Sequence, residues 1–290
     1  MLEKYDIAII GCGPAGLSAA INAKIRNKTI FFAGGDFCTP KLHSAPWVEN
    51  YLGFTKISGE DLRTNFLQHI QDMDIKLEKL RIDMVTAVGE GFFLQIKDRI
   101  IDAKAVILST GVTSGKRLPG EDDLIGRGVS YCATCDGMLF KGKKVAVLGY
   151  HHEAVEEANF LEELCEKVYF FHLGKGKFEG LKASPKLEER TEKVKGFKAG
   201  DNLEALELEE GLLEVDGAFI VRESVPPTQL VPGLEIEGNI IRVNRNMETN
   251  IPGLFAAGDC TGGPYQLAKA AGEGQVAALN AVKYLDKKSK

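Results

Sequence analysis

A chain of 290 residues can form two domains with separate cores, and 44% hydrophobic against 27% charged residues is ordinary for a globular protein. A net charge of −5 argues against nucleic acid as a partner, since general binding asks for a basic balance. No apolar run reaches membrane-spanning length and the sequence opens directly into a strand, so a cytoplasmic protein with no signal peptide and no membrane partner is expected.

Residues 5–10 (YDIAII) read as a strand rich in β-branched side chains. They run into Gly11-Cys12-Gly13-Pro14-Ala15-Gly16 and then an alanine-rich helix over residues 17–25. This is G-x-G-x-x-G between a strand and a helix. Gly11 permits the tight turn, Gly13 lets a diphosphate approach the backbone, and Gly16 lets the helix pack close. The helix N-terminus then offers free N–H groups and a positive dipole end to phosphates. Cys12 is expected to pack as a small buried residue.

The next strand, residues 29–32, ends in Ala33-Gly34-Gly35, without the acid that often holds an adenine ribose. The loop Val48-Glu49-Asn50-Tyr51-Leu52-Gly53 has carboxylate and amide groups that could reach a cofactor; otherwise it is a plain turn. An amphipathic helix starts after Ser58 and runs to about Met73. Residues 105–111 (AVILSTG) form a buried strand ending in a glycine turn, where a chain would cross a bound dinucleotide.

Residues 131–137 (YCATCDG) hold two thiols two residues apart, a pair able to close a small disulfide ring. Asp136, directly after the second thiol, is placed to move a proton. Zinc would need two more ligands at matching spacing, and the chain has no second C-x-x-C or C-x-x-H. Six cysteines in this length are not a disulfide scaffold, and in a reducing compartment a C-x-x-C is catalytic. Cys38, Cys165 and Cys260 have no evident partner or function.

A second strand–turn–helix unit begins at Lys143, yet its chemistry does not suit a dinucleotide. His151 stands where a turn glycine is needed, and Glu153 at the helix start repels phosphate and can cap the helix itself. After the strand at 168–172, Lys175 and Lys177 replace the arginines that would grip a 2′-phosphate. His151 and His152, on a turn, are expected to point apart and bind no metal. Lysines at 141, 143, 144, 175, 177, 182, 186, 193, 195 and 198 make this region locally basic, either a solvated surface or a docking face for an acidic protein.

Near the C-terminus, residues 249–259 (TNIPGLFAAGD) give a turn, a short apolar strand and Gly258-Asp259, whose carboxylate can accept hydrogen bonds from a polyol such as a ribityl chain. Gln266-Leu267-Ala268 opens a helix to about Tyr284 whose start could face the pyrimidine edge of a flavin. The last lysines are expected to be disordered.

Taken together and in order, residues 11–16, 48–53, 109–111, 132–137 and 253–259 resemble the low-molecular-weight flavin thioredoxin reductases. The resemblance implies an α/β fold of two Rossmann-like three-layer nucleotide-binding domains, the second inserted into the first. Residues 1–112 and 244–290 would bind FAD, residues 113–243 would form the central domain, and the protein would be a homodimer. FAD contacts are expected from Gly11, Gly13, Pro14, Ala15, Gly16, Glu49, Asn50, Thr110, Gly111, Gly258, Asp259, Gln266, Leu267 and Ala268. By position, Cys135 matches the thiol that reacts with flavin, Cys132 the thiol that attacks thioredoxin, and Asp136 the acid/base. Where NADPH-using members carry nucleotide motifs, residues 149–154 (GYHHEA), 172–177 (HLGKGK) and 219–223 (FIVRE) depart. In this the chain resembles the clostridial ferredoxin-dependent branch. Thioredoxin-disulfide reductase activity with ferredoxin, or flavodoxin, as donor is therefore expected. Its rivals are an NADPH-dependent reductase with an atypical site, a dithiol:oxygen oxidase and a non-catalytic redox sensor.

Overall fold

A computed structural model describes residues 2–35, 38–43, 45–111, 118–131, 133–174, 178–222, 226–238 and 240–288, with the backbone alone at 40, 41, 122, 134 and 135. Two compact units emerge, one from residues 1–113 and 226–290, the other from 114–225.

In the first unit β1 (Glu3–Ile10) carries Ile7, Ala8 and Ile9 with no exposed surface, as a parallel strand covered on both faces requires. It leads into α1 (Pro14–Ile25), whose proline at the start sacrifices no helical hydrogen bond. β2 (Ile30–Gly34), α2 (Pro40–His43) and α3 (Gly59–Asp72) follow. Ser58 caps α3, its side chain accepting a 3.0 Å bond from the Asp61 N–H. Next come β3 (Leu77–Lys79), β4 (Met84–Val88), β5 (Gly91–Ile96) and β6 (Arg99–Leu108). β3-β2-β1-β6 is parallel, and β5 then β4 extend it antiparallel.

The second unit comprises β7 (Val129–Ser130), α4 (Ala133–Asp136), β8 (Lys144–Gly149), α5 (Ala154–Leu164), β9 (Lys167–His172), β10 (Leu187–Arg190), β11 (Val194–Ala199), β12 (Leu203–Leu208), β13 (Gly211–Glu214) and β14 (Gly217–Val221). Its parallel sheet has the order β10-β9-β8-β14-β7, and β11-β12-β13 is a separate antiparallel sheet. Successive residues of β8 and β14 face opposite ways, so two cores form. Ala146, Leu148, Ala218 and Ile220 pack with Phe197 and Leu206 of the small sheet, while Val145, Val147 and Phe219 pack with Ala158 and Leu161 of α5. This gives the three expected layers.

The chain then forms α6 (Pro227–Leu230), β15 (Ile236–Glu237), β16 (Ile240–Ile241), β17 (Leu254–Ala256) and α7 (Leu267–Lys288). β17 pairs with β6 at Val106–Leu108, beyond the stretch that β5 occupies. Residues 226–243, expected in the central domain, group with the first unit. The cause is local: Asn250 accepts from the Glu235 N–H and donates to the Gly233 carbonyl, both at 2.9 Å, and Ile240 packs against Gly262. α7 also outruns its expected end. Lys287 and Lys288 are helical, and Lys288 reaches the Glu90 carbonyl at 3.3 Å.

α7 crosses α1 closely at Gly274, where a Cβ would lie 2.0 Å from the Ala15 carbonyl oxygen. Gly272 faces open space. Gly274→Val is expected to destabilise the unit by about 2 kcal/mol, as overpacking does. Gly272→Ala should leave it unchanged or raise its stability by up to about 1 kcal/mol. Urea unfolding midpoints at constant slope measure both. Equal midpoints for the two variants would refute the close crossing.

Candidate functional site

The first glycine-rich turn is built from backbone contact. Gly11 has φ +109°, and a Cβ on it would sit 2.2 Å from the Ser109 carbonyl oxygen; one on Gly16 would sit 1.8 Å from that of Gly11. Gly13 is different, because a Cβ there meets nothing within 4 Å. That face of the turn is open. Gly13 is also the N-cap of α1, with no side-chain cap and no acid in the first turn, so the helix start keeps free N–H donors. Open space beside free N–H groups at a positive helix end suits a dinucleotide diphosphate.

Two other predicted contacts meet each other. Asn50 Nδ2 donates to Gln266 Oε1 at 2.9 Å, joining the loop at 48–53 to the start of α7, where Leu267 and Ala268 lie. Glu49 is exposed and stands 3.9 Å from Lys56 Nζ. Thr110 and Gly111 follow β6, with Gly111 at φ +71° and no atom near its missing Cβ. Gly258, at φ +91°, sits so close to the first turn that a Cβ would be 2.8 Å from that of Ala15. It thereby sets Asp259, which begins a short helical turn over Asp259–Thr261, near Ala15.

Sequence reasoning missed the brace behind Gly258. Lys269 Nζ donates to the carbonyls of Gly258 and Gly262 at 2.7 and 2.6 Å, while Glu273 Oε2 accepts from the Gly258 N–H at 2.9 Å. The two side chains pair at 3.0 Å. Their i, i+4 spacing was the only signal, and it reads as an ordinary surface pair.

Cys12 and Cys38 also differ from expectation. They form a disulfide across a Cα–Cα distance of 5.3 Å, so Cys12 is not merely a packed side chain and Cys38 has a partner. Gly34 leaves room for the bond, since a Cβ there would strike Cys12 Sγ at 2.5 Å. Cys165 and Cys260 are free and buried, and burial pushes both thiols up to about 11. They are poor nucleophiles.

Of the predicted dithiol, Cys132 lies outside the described residues and Cys135 is described by its backbone in α4. The surroundings are defined. Asp136 Oδ2 accepts from Ser130 Oγ at 2.7 Å, and the Ala133 N–H donates to Glu157 Oε2 at 3.3 Å. Tyr131, directly before Cys132, is buried and its hydroxyl donates to Glu121. Arg222 Nη1 and Nη2 donate to the two oxygens of Glu121 at 2.5 and 2.7 Å, and the Leu118 N–H adds a third donor at 2.8 Å. Glu121 and Arg222 are 0% and 3% exposed. Burial opposes the Glu121 charge, but bonds from Arg222, Tyr131 and Leu118 outweigh it and hold the carboxyl below its ordinary value.

The turn after β8 is closed by the protein itself. Both the Tyr150 and His151 N–H groups donate to the Val221 carbonyl, at 2.8 and 3.2 Å, and the Arg222 guanidinium lies 4.9 Å from the Tyr150 ring centre. Glu153 is the N-cap of α5 without a side-chain capping bond, contrary to expectation; its carboxylate lies 3.6 Å from His151 Nδ1. The His151 and His152 rings do not diverge but lie 4.1 Å apart. Lys175, Lys177 and Glu223 fall outside the described residues. Among the described residues no group of three His, Cys, Asp or Glu side chains could hold a metal, and no helix is long and apolar enough to cross a membrane.

The profile of pyridine nucleotide-disulphide oxidoreductases matches residues 5–274. Thioredoxin reductase of Helicobacter pylori is 35% identical, over 97% of this chain and 99% of its own length. A ferredoxin-flavin thioredoxin reductase crystal structure from Clostridium acetobutylicum superposes with a TM-score of 0.91 at 47% identity, covering 99% of this chain and 100% of that one. The atypical thioredoxin reductase TRi of Desulfovibrio vulgaris Hildenborough gives 0.76 at 30% identity, covering 98% of each chain. With its open first turn, its C-x-x-C segment and these full-length likenesses, the chain belongs to the pyridine nucleotide-disulphide oxidoreductase family and, within it, to the thioredoxin reductases.

Proposed function

We propose that the protein is a ferredoxin-dependent thioredoxin reductase. FAD is held by the first unit, Cys132 and Cys135 form the redox pair, thioredoxin is the substrate, and the working form is a homodimer. One observation carries the choice of donor: the turn after β8 spends its Tyr150 and His151 N–H groups on the Val221 carbonyl, and the buried Glu121–Arg222 pair adjoins it. A nicotinamide dinucleotide needs those N–H groups and that space for its diphosphate. A one-electron protein donor needs neither.

When bound, FAD supplies the conversion of single electrons into a pair. The protein residues then move that pair by thiol–disulfide exchange. The Cys132 thiolate attacks one thioredoxin sulfur, the thioredoxin disulfide breaks, and a mixed disulfide forms. Cys135 attacks Cys132, closing the Cys132–Cys135 disulfide and releasing thioredoxin as a dithiol. Asp136, oriented by Ser130, exchanges the protons of these steps. Tyr131, fixed by Glu121, anchors the chain immediately before Cys132.

Two outcomes are expected. Under anaerobic conditions NADPH and NADH leave the flavin absorbance unchanged, whereas reduced ferredoxin bleaches it and yields thioredoxin thiols when oxidised thioredoxin is present. Rapid bleaching by NADPH would overturn the donor assignment. Glu121→Gln, which leaves Arg222 buried without its anion, is expected to lower stability by about 3 kcal/mol at neutral pH. Because the folded carboxyl is depressed, its contribution is present above about pH 4.3 and disappears as pH falls through the lower folded value. The gap between wild type and variant should therefore narrow in acid, measured by urea titrations across pH. A pH-independent gap would refute an ionised Glu121.

A further inference from the structure

The disulfide between Cys12 and Cys38 has no part in the exchange just described. Its two residues are 26 apart in sequence and 6% and 4% exposed. Cys12 sits within the first glycine-rich turn, between the glycine that contacts Ser109 and the one that faces open space. Cys38 sits four residues beyond β2, in the chain that leaves the sheet where dinucleotide folds place a ribose-binding acid. Both sulfurs lie near the Gly35 carbonyl oxygen, at 3.8 and 4.0 Å, and Asp36, directly after Gly35, falls outside the described residues. From the other side Arg63 Nε donates to the Cys38 carbonyl at 2.9 Å, tying the same segment to α3. Thr39 is held at φ +57°, and its buried Oγ1 has no hydrogen-bond partner among the described residues. A buried hydroxyl left unsatisfied in a polar segment is where a ligand oxygen belongs.

We propose that the Cys12–Cys38 disulfide is a clasp on the cofactor: it pins Cys38 and Thr39 to the diphosphate turn and so helps retain the adenosine side of FAD. The clasp rests on the reading that FAD occupies this unit. Thr39 Oγ1 is the polar group the clasp presents to the cofactor. The bond opens to a dithiol reductant. One reductant thiolate attacks Cys12 or Cys38, the protein disulfide breaks, and the second reductant thiol closes the reductant's own disulfide; two electrons and two protons pass to the cysteines. Because both sulfurs are buried, a reductant reaches them only when the segment lifts from the turn. Reduction and cofactor release are thereby coupled.

The test has two readouts, neither of which depends on the electron donor. Cells are lysed into iodoacetamide, and the digested protein is analysed by mass spectrometry; a peptide pair linked through Cys12 and Cys38 is expected. FAD release on dilution is then followed by the fluorescence of the freed flavin, in a Cys135→Ser background so that the catalytic pair does not contribute. Dithiothreitol and the Cys38→Ser change should each speed release at least tenfold, and dithiothreitol should add nothing to Cys38→Ser. Cys12 and Cys38 both alkylated at lysis, or a Cys38→Ser protein releasing FAD at the parent rate, would overturn the clasp. Linked peptides in a protein that binds no added FAD would overturn the cofactor reading and the clasp with it, while the NADPH and ferredoxin titrations test the donor separately.

Discussion

Backbone contact between Gly11 and Gly16 is the constraint on which the first unit depends. The Gly16 position lies so near the Gly11 carbonyl that no side chain fits, and this brings the start of α1 against the end of β1. Everything that frames the site then seats on that corner. Ser109, after β6, donates its hydroxyl to the carbonyls of Ile10 and Gly11 at 2.9 and 2.8 Å. α7 comes down on Ala15 through Gly274, and Gly258 lies against the Ala15 side chain. Four segments far apart in sequence converge because each uses a glycine or a hydroxyl to approach one piece of backbone. The same closeness leaves Gly13 as the face on which a ligand can rest.

The second unit holds its nucleotide-type fold independently of the turn after β8. Its stability resides in the two apolar cores on opposite faces of β8 and β14, neither of which needs the turn to bind anything. The turn satisfies its Tyr150 and His151 donors on Val221. The charged pair beside it is a different matter. Burying Glu121 and Arg222 costs desolvation, and such pairs often contribute little net stability. What this one contributes is placement, since the bonds to Glu121 reach Leu118 near the unit's entry, Tyr131 beside the dithiol and Arg222 near its exit.

The cysteines differ by environment. Cys165 and Cys260 are sealed in apolar surroundings that disfavour their thiolates. Cys12 and Cys38 are joined, and Cys135 stands on a short helix whose first N–H meets a carboxylate. The four cysteines whose side chains are described thus hold two chemical states, set by what surrounds each pair.

What could be read along the chain was whatever is local. The strand–turn–helix around residues 5–25, the helix start at Ser58 and the C-x-x-C followed by Asp136 all rest on neighbours within a few positions, where periodicity, capping and turn chemistry act. Distant pairings left no such trace. Cys12 and Cys38 are 26 residues apart and Glu121 and Arg222 are separated by 101, and neither partner of either pair is unusual by itself. Lys269 and Glu273 look like a solvated helix pair until Gly258 lies beneath them. The grouping of residues 226–243 with the first unit likewise follows from Asn250 and Gly262 contacts that exist only once β17 has docked on β6. Turn and helix chemistry is dictated by backbone sterics over short spans and is legible in residue order; which carboxylate meets which guanidinium, and which thiols join, is decided by the packing of strands that residue order does not place.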